Sequence, residues 1–129
     1  MKQTIGAIAL IVPDYDAAIE FYTRSLGFDL IEDTDLGNGK RWVLVAPKGS
    51  SETRLLLARA VNASQQSAIG NQTGGRVFLF LNTDDFDRDH AAMTAAGVTF
   101  LEAPRSELYG KVAVFRDPFG NKWDLIQHY

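Results

Sequence analysis

The sequence predicts an α+β fold made of two βαβββ modules. Their strands form a curved eight-stranded mixed sheet with the helices on its outer face. Three observations carry this reading. Short strand-like apolar runs alternate with two segments of helical spacing. VPDYD at 12–16 reappears as TDDFD at 83–87, an offset of 71 residues between Asp14 and Asp85. At that same offset Gly39-Lys40 falls on Gly110-Lys111, and Pro47-Lys48-Gly49 falls on Pro118-Phe119-Gly120. Repetition at such a period marks fused copies of one supersecondary unit.

The elements follow in order. Ile5 to Val12 is a continuous apolar run, short enough for a buried strand. Asp14 is placed to cap a helix, with Asp16 adding negative charge at the positive end of its dipole. Tyr15, Ala18, Ile19, Tyr22 and Leu26 give that helix its apolar stripe, and Gly27 ends it. Strands are expected at 28–34, 41–46 and 53–60, separated by polar and Gly-bearing turns. Residues 61–75 form a polar loop with room for a short helical turn. The order then repeats: a strand at 77–81, a helix capped by Asp84 or Asp85 and stopped by Gly97, then strands at 98–101, 111–116 and 122–127. The chain reads as a single domain over 1–129, with a first module at about 1–62, a loop at about 61–75 and a second module at about 75–129.

Composition narrows the function classes. The 129 residues are 46% hydrophobic and 22% charged, as expected of an ordinary folded globule. Thirteen basic against sixteen acidic residues give a net charge of −3, and no Lys/Arg run supplies a nucleic-acid stripe. The absence of cysteine excludes disulfides, thiolate metal sites and cysteine nucleophiles. The N-terminal apolar run is broken by Pro13 and Asp14, so it reads as a strand rather than a signal peptide, and no membrane span is expected. The location expected is the cytoplasm.

VPDYDAAIEFYTRSLGF at the front and FRDPFGNKWDLIQ at the back resemble the vicinal oxygen chelate superfamily, which includes glyoxalase I, extradiol dioxygenases, fosfomycin-resistance enzymes and bleomycin-binding proteins. The resemblance covers essentially the whole chain. It implies the paired-module fold, frequent homodimers, and in the family's enzymes a divalent metal held by His or Glu on the first and last strands of each module. At the matching positions this chain has Ala7, Leu55 (within one or two residues), Phe78 and Asp124. Three of the four have no ligand atom. Its two histidines do not repair the set. His90 falls on the second helix, and His128 lies four residues past Asp124, roughly 13 Å along a strand.

The expectation is therefore a protein without the usual metal site, and no cofactor is assigned. Strand alternation puts Ala7 and Ala9 in the cup of the sheet, with Phe78 and Phe80. A four-residue turn at 117–120 would set Ala113 opposite Asp124, adding Ala113 and Phe115 and, through the repeat, Trp42. With Tyr109 on a neighbouring loop, these residues make a mostly apolar small-molecule pocket with one acid. Asp124 is the catalytic or orienting candidate, with Arg41, Arg54, Arg59 and Arg76 as candidate partners. The loops at 70–75 and 105–110 are lid candidates. The function expected is binding of a small hydrophobic or aromatic molecule. The alternative is a glyoxalase- or dioxygenase-type enzyme with an atypical metal site or Asp124 as base.

Overall fold

A computed structural model describes residues 2–129. The chain divides into two compact units, Met1–Ile69 and Gly70–Tyr129. Each holds one sheet with a helix packed on it.

In the first unit the strands are β1 (Ala7–Val12), β2 (Asp29–Gly37), β3 (Lys40–Ala46) and β4 (Arg54–Arg59), in the order β1-β4-β3-β2. β1 and β4 run parallel, and the other pairs are antiparallel. Helix α1 (Tyr15–Glu20) starts where Asp14 accepts the Ala17 N–H at 2.7 Å, and it continues as a π-helical turn over Phe21–Ser25. The face toward α1 is the core. Leu10, Val12, Val43, Val45, Leu55 and Leu57 are buried there with Tyr15, Ala18 and Tyr22. Complete burial of a side chain of this size contributes about 1.5–3 kcal/mol. Leu55 is thus a core residue, and the position matching Asp124 falls on its neighbour Leu56, which sits beside Ala9 in the register. Helix α2 (Ala63–Ala68) is the short turn expected in the loop, capped by Asn62.

The second unit contains β5 (Leu79–Asn82), α3 (Phe86–Ala95), β6 (Thr99–Phe100), β7 (Arg105–Glu107), β8 (Gly110–Arg116) and β9 (Lys122–His128). Its five-stranded sheet runs β5-β9-β8-β6, with β7 also on β8. The sheets therefore hold four and five strands rather than eight in all, because β7 forms within the predicted loop 102–110. Asp85 is the α3 cap, accepting the Arg88 N–H at 3.1 Å. Gly27 and Gly97 follow the helices with φ of 75° and 89°, the left-handed conformation in which glycine has no Cβ penalty.

The turn before β9 differs from expectation by one residue. Asp117 Oδ1 accepts the N–H of Phe119 and of Asn121, each at 2.9 Å, while Oδ2 accepts Asn121 Nδ2 at 2.7 Å. The Asp117 N–H donates to the Asn121 carbonyl, so the turn spans five residues and the first ladder pair is Arg116–Lys122. A one-residue change in register turns a strand over. Val114, not Ala113, stands opposite Asp124, and Phe115 stands opposite Trp123. Phe115 therefore leaves the predicted pocket. It is wholly buried on the α3 side, stacked on Trp123 with ring centroids 5.7 Å apart. Phe100, His90 and Phe86 continue that aromatic column.

Candidate functional site

The helix-free face of the second sheet gathers the sequence's main candidates. The parallel pairing of β5 with β9 puts Phe80 directly beside Asp124. The Phe78 N–H donates to the Lys122 carbonyl at 2.8 Å, which extends the same row. Val114 flanks Asp124 on the other side. Phe80 is 62% exposed, a large apolar surface to leave in water, whereas Asp124 beside it is only 9% exposed.

Asp124 Oδ1 is buried with no hydrogen-bond partner. Burial pushes its carboxyl above the usual carboxylate range. The nearby Arg105 charge pulls it back, and Glu102 pushes it up again. Arg105 is not among the arginines predicted as partners. It comes into range because β7 pairs with β8, placing Arg105 opposite Val112 on the face that Val114 and Asp124 share. Arg105 is itself engaged, donating to Glu107 Oε1 at 2.7 Å and to Glu102 Oε1 at 3.0 Å. Glu107, Tyr109 and Glu102, in that order, keep it firmly protonated. Two carboxylates hold its charge, so Asp124 is left with a distant cation and no direct bond. Arg105 and Glu107 are alternate residues of β7 and share a face.

The remaining candidates are placed as follows. Tyr109 lies in the turn between β7 and β8, half exposed, its ring 6.4 Å from that of His128. Ala7 is on the helix-free face of β1 beside Arg54, whose Nε is buried without a partner. Trp42 is on the same face of β3, 39% exposed. Arg41 is on the opposite face, bound to Asp33 and Asp16.

The donor set bears on the family's metal. Ala7, Leu56 and Phe78 have no ligand atom, and Asp124 offers one carboxylate where a zinc site takes three or four protein ligands. Among the described residues no three His, Cys, Asp or Glu side chains come together. These residues do not fit a divalent ion.

Two repeated units, each a sheet with one helix-packed and one helix-free face, define an α+β protein of the paired-module kind. The model of the Glyoxalase/Bleomycin resistance protein/Dioxygenase superfamily matches residues 4–125, and the chain belongs to that family. An uncharacterized protein of Shewanella frigidimarina is 58% identical over 128 residues, covering 98% of this chain and 95% of that one. The crystal structure of UcmS2 superimposes with a TM-score of 0.85 at 28% identity, covering 98% of both chains. TnmS3 from Streptomyces sp. CB03234, described as an antibiotic binding protein, gives 0.78 at 32% identity over 100% of this chain and 98% of its own. No described helix is long and apolar enough to cross a membrane.

Proposed function

We propose that the protein binds a small aromatic molecule on the helix-free face of its second sheet, without a metal ion. The observation that carries this is Asp124: a buried carboxylate with a free Oδ1, set beside exposed Phe80. A buried unpaired polar atom is costly. A ligand hydroxyl or amine donating to Oδ1 would recover that cost while its ring covers Phe80. The likeness to an antibiotic binding protein favours sequestration over turnover. Nine-residue β2 exposes Leu30, Ile31 and Leu36, a surface that suits the homodimer expected of the family.

The experiment is calorimetric titration of EDTA-dialysed protein with a panel of aromatic antibiotics that includes bleomycin, with metal analysis of the purified protein. Micromolar or tighter binding of a panel member supports the proposal. Stoichiometric metal, or binding seen only after a divalent ion is restored, sinks it.

One observation favours a second reading. A carboxyl raised by burial is a better proton acceptor near neutrality than a free one, so Asp124 could serve an enzyme of this family as general base. Turnover of a glutathione hemithioacetal or a catechol, abolished in Asp124→Asn, would establish it. No turnover of either would remove it.

A further inference from the structure

The first unit contains a groove that the proposal above does not use. The β3–β4 ladder pairs only Val45 with Leu55 and Leu44 with Leu56, while the β1–β4 ladder continues as far as Arg59. Beyond Leu44 the Arg41 N–H turns to the Tyr15 hydroxyl at 3.1 Å instead of to β4. The two strands part there and leave a cavity of about 600 Å³, the size of a drug-like ligand.

Its walls have a distinct chemistry. Trp42 and Leu56 are apolar surfaces, and Lys40, Arg41 and Arg59 line the groove with no Asp or Glu among the lining residues. In a chain of net charge −3 this is a local excess of positive charge. The three cations are not equivalent. Arg41 is committed to Asp33 and Asp16, at 2.7 and 3.0 Å. The Arg59 side chain has no hydrogen bond or ion pair among the described residues, and its partner there is the Tyr15 ring, 5.5 Å from its guanidinium carbon. Gly39 makes room for it: a Cβ there would stand 3.2 Å from Arg59 Nη2. The guanidinium is thus held against a ring, beside a glycine, with its donors unclaimed. Arginine in that state is suited to grip a carboxylate through two parallel bonds.

We infer that this groove binds a small aromatic carboxylate, its acid group on Arg59 and its ring against Trp42. Every lining residue belongs to the first unit.

The test uses two probes of the same shape, 2-naphthoate and its neutral amide, 2-naphthamide, titrated into the full chain and followed by ¹H–¹⁵N correlation spectra. Naphthoate should shift the Gly39 amide and the Trp42 indole N–H and bind at least about tenfold more tightly than naphthamide, the scale of one charge-assisted bond. Arg59→Gln should bring the two affinities within about twofold. Arg59→Lys should keep part of the difference, and Lys48→Ala, in a turn outside the groove, should keep all of it. Signal dispersion in the same spectra shows that each variant is folded. Equal affinities in the wild type, an undiminished preference in Arg59→Gln, or unmoved Gly39 and Trp42 signals would overturn the inference.

Discussion

The two units repeat one another on the face that packs its helix and differ on the face that does not. Leu10, Val12, Val43 and Val45 pack under α1. Leu125, Trp123, Ala113 and Phe115 do the same work under α3. On the other face, Leu56 beside Ala9 corresponds to Asp124 beside Phe80. One position is apolar and flanked by a methyl group. The other is a buried acid flanked by an exposed ring. Close packing constrains the first face to apolar residues of set volume. The second face is packed less evenly, with Trp42 and Phe80 exposed and Val112 and Ile126 buried, and there the two units carry different chemistry.

The largest break in this comparison is Phe115→Ala against Phe80→Ala. The first removes a wholly buried ring stacked on Trp123 and should cost about 3–5 kcal/mol. The second trims a largely exposed ring and should change stability by less than about 0.5 kcal/mol. Urea unfolding of both variants checks this. Equal costs would mean that the faces have been assigned wrongly.

The turns give the next contrast. Asp117→Ala deletes three hydrogen bonds inside the turn and strands the buried Asn121, and should cost about 2–3 kcal/mol. Lys48→Ala, in the corresponding turn of the first unit, should stay within about 0.5 kcal/mol. Thermal melts of the pair will show whether one repeat depends on its turn and the other does not.

Asp124→Asn sharpens the functional side with a smaller effect. The folded carboxyl holds its proton to higher pH than the ordinary value of 3.8, so ionisation of Asp124 works against folding. The Asp124 penalty is absent below pH 3.8, grows as pH rises from there, and is complete above the folded-state value. The asparagine variant should therefore be more stable than wild type at pH 7. That advantage should shrink to nothing as the pH falls to 4 and below. A constant difference across pH would show that the carboxyl is not desolvated.

Much of this was legible in the chain. Asp14 and Asp85 announce both helices by side-chain capping, and the apolar runs place β1, β3, β4 and β9 within a residue or two. The error at Phe115 came from a single turn. Asp14 and Asp85 are 71 residues apart, but Leu44 and Val114, the true counterparts across the hairpins, are 70 apart. A strand has a period of two, so that slip moved Ala113 and Phe115 to the wrong face. β7 was missed because Arg-Ser-Glu has no apolar alternation and is strand only by pairing with β8. Arg105 was missed with it, since its approach to Asp124 depends on the order β7-β8-β9 and on no local pattern. The groove at Arg59 was equally invisible, because it arises where a ladder ends.

The most direct test is the dissociation constant of the tightest-binding panel antibiotic, measured by calorimetry in EDTA-treated wild type, Asp124→Asn and Phe80→Ala. We expect binding without metal in the wild type and a loss of at least about tenfold in each variant, the loss of one anchoring contact. Unchanged affinity in both variants would contradict the placement of ligand beside Asp124 and Phe80.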